Sequence, residues 1–237
     1  MANVQVKYLY SKEEYFDQKL NEFLRIRNVS NIDIEKNVSD IINQVKIHGD
    51  NALVTMINKF DKIKCFNLEN IKIENKLLKK AFEDLPIDLK NAMKLASNRI
   101  KLFHEKQKLK GFDYEDELGV NLGLKYSPIK RVGFYTPGGK ALYPSSVLMN
   151  VVPALVAGVD ERVLVSPINL EKNSEILLAA AYLAEVTEFY RMGGAQAIAA
   201  LALGTEKIKK VDKIVGPGNA FVAEAKRQLF GKVGIDS

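Results

Sequence analysis

Hydrophobic side chains recur at helical spacing through the first part of the chain. The apolar positions of residues 34–47 and 88–104 fall three or four residues apart, which predicts two amphipathic helices. Between them, Gly49 follows His48 and predicts a helix end with a glycine C-cap, after which Asn51–Phe60 continue as another helix. We therefore expect a largely helical N-terminal region.

The hydrophobic pattern changes over residues 112–127. Apolar residues from Val120 to Tyr126 alternate with polar or small ones, which predicts a half-buried strand. Pro128 follows this segment and marks a junction. We expect a domain boundary near 128–131, which divides the chain into residues 1–130 and 131–237.

From residue 131 onward, an apolar strand, a loop and a helix follow one another four times. This alternation predicts βαβ units and a parallel sheet with both faces covered, so the predicted fold class is α/β. The apolar residues of Val233–Ile235 predict the start of a further strand. The four predicted strands are Val132–Tyr135, Arg162–Ser166, Thr187–Met192 and Lys213–Val215. The helices lie near 145–157, 173–184 and 220–230, and an alanine-rich helix follows the loop at 193–196 and ends at about Leu203.

Composition and charge narrow the class of protein. Hydrophobic residues make up 47% and charged residues 27% of the 237 positions, as in ordinary soluble proteins. The net charge of +6 is dispersed, and the densest basic cluster also contains Asp212, so a solvated face is favoured over nucleic-acid binding. Cys65 is the single cysteine, which excludes an intrachain disulfide. Without a signal sequence or a membrane-length apolar stretch, we expect a soluble cytoplasmic protein with no membrane partner.

Three glycine-containing loops lie where predicted strands lead into helices: TPGGKA at 136–141, GGAQA at 193–197 and GPGNA at 216–220. In an open parallel sheet, ligands bind beyond the carboxyl ends of the strands, where helix N-termini present free N–H groups. None of the loops has the GxGxxG spacing of the common dinucleotide fingerprint. Spacing alone leaves both a nucleotide site and ordinary turns open, and Asn219 fits a helix cap as well as a ligand contact.

Residues suited to metal binding or acid–base chemistry are few. His48 and His104 lie far apart on predicted helices, and the sequence contains no HxxxH, CxxC or carboxylate–histidine cluster. Cys65 fits a buried structural thiol, and Asp61-Lys62 fit solvated loop charges. The residues themselves therefore predict neither catalytic groups nor metal ligands in this chain.

The glycine loops belong to longer segments that resemble histidinol dehydrogenases. The main segments are VGFYTPGGKALYPSSVLMNVVPALVAGV at 132–159, VLVSPI at 163–168 and GGAQAIAALALGTEKIKKVDKIVGPGNAFVAEAKRQL at 193–229. Nearer the N-terminus, the family is matched by VKIHGDNAL at 45–53, KFDK at 59–62 and FHEKQ at 103–107. The resemblance covers nearly the whole chain.

This resemblance implies a homodimeric, zinc-dependent enzyme that oxidises L-histidinol to L-histidine through an aldehyde, using two NAD molecules in turn. It also implies incomplete Rossmann-like domains with parallel sheets, in an aldehyde-dehydrogenase-like architecture with an N-terminal helical region. Residues 131–237 would form most of the NAD-binding domain. Residues 1–130 would form a helical extension and the first half of a split α/β domain.

The resemblance also assigns three contacts to the cofactor. Tyr135 in GFYTPGG would lie against NAD, and Gln196 in GGAQA and Asn219 in GPGNA would hydrogen-bond to it. Without a ligand, these residues would serve as a strand-end aromatic and two helix caps. The glycines that would shape the loops are Gly138, Gly139, Gly193, Gly194, Gly216 and Gly218.

The family's substrate serine, zinc ligands and Glu–His acid–base pair belong to sequence beyond Ile235-Asp236, and Ser237 lies too early to be that serine. The chain is interpreted as part of a longer enzyme; a stand-alone nucleotide-binding or subunit-interaction module and a chain that does not fold are the alternatives. With NAD, histidinol and zinc supplied, we expect the chain to form no NADH, as measured by absorbance. We also expect it to bind NAD weakly at best. Measurable turnover would contradict this interpretation, and micromolar NAD affinity would favour the module.

Overall fold

The computed structural model describes residues 8–138, 142–170 and 174–236, with residues 25–32 described by their backbone alone. Its strands are β1 Lys72–Ile73, β2 Phe112–Glu115, β3 Asn121–Leu124, β4 Arg131–Tyr135, β5 Glu161–Val165, β6 Glu188–Tyr190, β7 Lys213–Val215 and β8 Gly234–Ile235. Its helices are α1 Phe16–Met56, α2 Asn75–Asp84, α3 Ile87–Glu105, α4 Pro144–Ala157, α5 Glu175–Leu183, α6 Gly194–Leu203 and α7 Ala220–Leu229. Within these ranges, no helix is long and apolar enough to cross a membrane.

Six of the strands form one sheet in the order β1-β6-β5-β4-β7-β8. Strands β4 to β8 are parallel, whereas β1 pairs antiparallel with β6 at one edge. In chain order, the five parallel strands follow the sequence 3-2-1-4-5, which is the order of a Rossmann-like sheet. The strand order reverses between β4 and β7, and ligands bind such sheets in the crevice at this position.

Alternation along the strands divides the core into two layers. In β4, Val132 and Phe134 belong to the layer under α4 and α5, whereas Tyr135 belongs to the layer under α6 and α7. Side chains in both layers are almost fully buried, which fits a parallel sheet with helices on both sides. The predicted α/β class with a sheet covered on both faces is therefore confirmed.

The N-terminal helices pack against both faces of this sheet. Helix α1 contacts α6 and α7, whereas α2 and α3 contact α5 and α4. The predicted helix end at Gly49 is confirmed as a break inside α1, where φ is 48° and ψ is −125°. After Met56 the chain continues as a π-helical turn, Ile57–Asp61. The division of the chain near residue 130 remains a prediction.

Strands β2 and β3 form a separate antiparallel hairpin. Phe112 pairs with Leu124 and Tyr114 with Leu122, so these four apolar side chains share one face. All residues of both strands are exposed. The expected strand near 120–126 is confirmed in its extended conformation, but the expected half-burial is wrong because no described element covers the apolar face.

Candidate functional site

The three residues expected to contact a ligand line one cavity of about 810 Å³ beyond the carboxyl ends of the parallel strands. Tyr135 is the last residue of β4, Gln196 lies in the first turn of α6, and Asn219 is the N-cap of α7. Helix α1 and the following π-helical turn form the opposite wall, contributing among others Asp40, Lys59 and Phe60. A cavity of this size matches ordinary small-molecule and cofactor sites.

Tyr135 presents a neutral phenol to this cavity. The side chain is almost completely buried, and its Oη accepts a hydrogen bond from the backbone N–H of Gly194 at 3.2 Å. Burial raises the pKa of Tyr135, and the nearby charge of Asp61 adds to this effect. The hydroxyl therefore keeps its proton at neutral pH and can donate it to a ligand.

Asp61 was interpreted from the sequence as a solvated loop charge, and the structure corrects this interpretation. The residue ends the π-helical turn and lines the cavity. Its Oδ2 accepts hydrogen bonds from the backbone N–H of Gly193 at 3.2 Å and from Gln196 Nε2 at 3.3 Å. Burial raises the pKa of Asp61 to about 6.

Asn219 caps α7 and also borders the cavity. Its Oδ1 accepts a hydrogen bond from the backbone N–H of Val222 at 3.1 Å, which is the expected N-cap geometry. The residue is exposed, unlike Tyr135 and Gln196. The two functions considered for Asn219, helix capping and ligand contact, are therefore compatible.

The loop that follows β7 is held in place by a partly buried ion pair. Lys226 Nζ donates to the carbonyl oxygen of Gly216 at 2.7 Å and to Asp236 Oδ1 at 2.5 Å. Asp236 Oδ2 in turn accepts from the backbone N–H of Gly216 at 2.7 Å. Gly216 has a φ of 118°, and a Cβ at this position would lie 2.1 Å from the carbonyl oxygen of Tyr135. The lysine and the glycine thus fix the loop against the end of β4.

Two buried hydroxyl groups follow the ends of β4 and β5. Thr136 and Ser166 are fully buried, and their side-chain oxygens have no hydrogen-bond partner among the described residues. Gly138 lies beside them, since a Cβ on this residue would be 2.5 Å from Ser166 Oγ. Gly139, also expected to shape this loop, lies outside the described residues. The strand ends therefore retain unused hydrogen-bonding capacity.

The remaining candidates lie away from the cavity. His48 precedes the break in α1, and His104 lies near the end of α3, where its ring contacts Phe103 edge-on. Cys65 is buried, as expected, and its Sγ donates to the carbonyl oxygen of Asn67. In the part of the chain that the structure describes, no three His, Cys, Asp or Glu residues are grouped so that they could hold a metal ion.

Comparison with known proteins identifies relatives along nearly the whole chain. Residues 24–237 match a family model described as histidinol dehydrogenase. The histidinol dehydrogenase of Neisseria meningitidis serogroup A is 46% identical over 231 residues, which are 98% of this chain and 54% of the relative. That of Methylococcus capsulatus is 44% identical over 236 residues, which are 100% of this chain and 54% of the relative. The chain thus spans about half the length of the curated relatives it matches.

A solved structure shares the fold. The crystal structure of histidinol dehydrogenase from Elizabethkingia anophelis matches with a TM-score of 0.79 and 34% sequence identity. The match covers 86% of this chain and 47% of that chain. This likeness agrees with the Rossmann-like architecture expected from the sequence.

Proposed function

Since this chain belongs to the histidinol dehydrogenase family, we propose that it forms the NAD-binding part of an enzyme that oxidises L-histidinol to L-histidine through histidinal. The observation that carries the proposal is the cavity at the crevice of the sheet, where Tyr135, Gln196 and Asn219 meet. These three residues come from three different glycine loops. The family resemblance of the sequence assigned each of the three separately as an NAD contact.

The cavity has chemical groups that suit a dinucleotide. Two exposed aromatic side chains, Phe60 and Phe221, border it and offer faces for planar rings. Lys59 is the only cation among the described lining residues and supplies a charge for a pyrophosphate. Gly216 lets the loop backbone approach the end of β4 where a Cβ would collide. The residues present therefore fit NAD.

NAD, when bound, would accept a hydride from the substrate. The side chains described here would bind and orient the cofactor. Tyr135 donates a hydrogen bond from its neutral phenol, and the amide of Gln196 offers a further polar contact. Asn219 contributes its amide at the cavity rim while its Oδ1 holds the first turn of α7.

Zinc and a second subunit are proposed for the whole enzyme only, as is its location in the cytoplasm. The described residues do not fit a zinc site, because no suitable group of ligands occurs among them. We therefore assign no step to zinc in this chain. The substrate, L-histidinol, would need contacts from the rest of the enzyme.

We expect ligand-observed NMR to show weak but saturable binding of NAD to the chain. Gln196→Ala should lower the affinity about 3- to 10-fold, the effect of one lost neutral hydrogen bond. Gln228→Ala, on α7 away from the cavity, is the matched control and should leave the affinity unchanged. Binding that is absent, or equal in Gln196→Ala and the unmodified chain, would contradict the proposed site.

A further inference from the structure

The amide group of Gln196 is held in one orientation. Its Nε2 donates to Asp61 Oδ2, and the same carboxylate oxygen accepts from the backbone N–H of Gly193 at the start of α6. An ionised carboxylate can only accept hydrogen bonds, so it selects the nitrogen side of the amide. The contact with Asp61 occupies one hydrogen of Nε2 and thereby fixes where Oε1 lies.

The oxygen of the amide accepts no hydrogen bond from the residues that the structure describes. Gln196 is only 2% exposed, and no hydrogen bond to its Oε1 is found among the described residues. This oxygen lies close to Gly194, where a Cβ would approach it to 2.6 Å. The oxygen is not among the fully buried side-chain atoms that have no partner in the described part of the chain, so it keeps access to a donor from the cavity. Since Gln196 lines the cavity, such a donor can reach it from there.

We propose that Asp61 is a positioning residue that makes Gln196 a hydrogen-bond acceptor toward NAD. The inference rests on the proposed function and names the chemistry that the amide recognises: a neutral donor group. NAD carries such donors as ribose hydroxyls, the carboxamide NH₂ of its nicotinamide and the amino group of its adenine. The pyrophosphate has only acceptor oxygens and cannot be the partner of Gln196 Oε1.

The electrostatics of the cavity support this assignment. Burial raises the pKa of Asp61 to about 6, from an ordinary value of 3.8, although hydrogen bonds from Gly193 and Gln196 lower it. Because the folded pKa lies above the unfolded one, the fold loses stability as pH rises from 3.8 through about 6. An ionised Asp61 at neutral pH therefore costs stability.

Few other charges face this carboxylate. The titratable and charged groups that line the cavity with it are Asp40 from α1, Lys59 from the π-helical turn and Tyr135 from β4. Helices α6 and α7 add none among the described lining residues. Lys62, next in the chain, is exposed. A titration near pH 6 at this site is thus expected to belong to Asp61.

The first experiment detects the Asp61–Gln196 contact without any ligand. In the ¹H–¹⁵N NMR spectrum of the chain, the side-chain NH₂ signals of Gln196 should shift with a midpoint near pH 6. Asp61→Asn, which keeps an acceptor oxygen but cannot ionise, should abolish this shift and raise the melting temperature above pH 6. Gln196 signals that do not titrate in the unmodified chain would overturn the inference.

The second experiment measures NAD affinity by ligand-observed NMR. Asp61→Ala should lower the affinity about 3- to 10-fold, and Asp61→Asn should restore most of it. In the Gln196→Ala background, Asp61→Ala should have no further effect, because the aspartate acts through the glutamine. Asp84→Ala, an exposed carboxylate on α2, is the control for general effects of charge removal. Independent, additive effects of the two substitutions would overturn the inference.

Analogues of NAD then identify the donor. Nicotinic acid adenine dinucleotide lacks the carboxamide NH₂, nicotinamide hypoxanthine dinucleotide lacks the adenine amino group, and deoxy analogues each lack one ribose hydroxyl. The difference in affinity between the unmodified chain and Asp61→Ala should disappear for the one analogue that lacks the group bound by Gln196. A difference that persists for every analogue would overturn the inference, whereas loss of NAD binding in the unmodified chain would contradict the proposed function itself.

Discussion

Replacing Gly216 with alanine is expected to lower the free energy of unfolding by about 4 kcal/mol. The residue has a φ of 118°, which disfavours any side chain, and its new Cβ would lie 2.1 Å from the carbonyl oxygen of Tyr135. Backbone strain and steric overlap therefore add. The loop can relieve the overlap only by moving away from β4, which would also deform the cavity. Urea denaturation followed by circular dichroism measures the loss.

A second glycine distinguishes the contribution of backbone strain from that of steric overlap. Gly231 also has a positive φ, 85°, but a Cβ there would have no atom within 4 Å. Gly231→Ala should therefore cost only the backbone strain, about 1 kcal/mol. Equal losses in the two variants would show that the close approach of Gly216 to Tyr135 does not exist in solution.

Lys226→Met is expected to lower the free energy of unfolding by about 3 kcal/mol at neutral pH. The substitution removes the ion pair of Lys226 with the partly buried Asp236 and the hydrogen bond of Lys226 to the Gly216 carbonyl. The double variant Lys226→Met/Asp236→Asn should recover much of the loss, because it also removes the carboxylate charge. The exposed Lys232→Ala is the control and should have little effect.

The Lys226 variant should also change how stability depends on pH. Burial acts to raise the pKa of Asp236, but hydrogen bonds from Lys226 and Gly216 hold it below its ordinary value of 3.8. A lowered folded pKa gives stability that is present above the ordinary pKa and is lost as pH falls through the folded value. The difference in the free energy of unfolding between the unmodified chain and Lys226→Met, measured by urea denaturation, should therefore become smaller below about pH 4. A gap that stays constant would contradict the ion pair.

The regular part of the fold could be predicted from periodicity. Parallel strands buried on both faces give continuous apolar runs, such as Val132–Tyr135, and amphipathic helices give apolar stripes. The α/β class could therefore be predicted from these two patterns. Strand β1 was not predicted. Its two residues, Lys72 and Ile73, are too few for a pattern, and they are extended because they pair with β6. Short edge strands depend on their partner rather than on local sequence.

The burial of the hairpin could not be judged from its own sequence either. Alternation of Val120, Leu122 and Leu124 with polar or small residues shows which side is apolar, but not whether another element covers that side. In this chain all residues of β2 and β3 are exposed. Periodicity predicts the face of a strand, whereas burial depends on tertiary contacts.

The candidate site shows the same limit. The glycine loops and the resemblance identified Tyr135, Gln196 and Asn219, and the structure brings all three to one cavity. Asp61 was missed because its partners, Gly193 and Gln196, lie more than 130 residues away in sequence. The KFDK segment at 59–62 was the available signal, since it belongs to the family resemblance, but charged residues beside a lysine are usually solvated.

The position of β4 in the sheet also orders the assembly of the protein. Strands β4, β5 and β6 are neighbours in both sequence and space, so they can pair soon after they collapse. Strand β7 pairs with the other side of β4, far from it in sequence. The hydrogen bond from the Arg131 backbone N–H to Asp212 joins residues that are 81 positions apart. The crevice between β4 and β7 is therefore expected to form late in folding, after the three-stranded half. Any condition that slows this long-range closure would leave a partly folded chain that lacks the cavity at the strand ends.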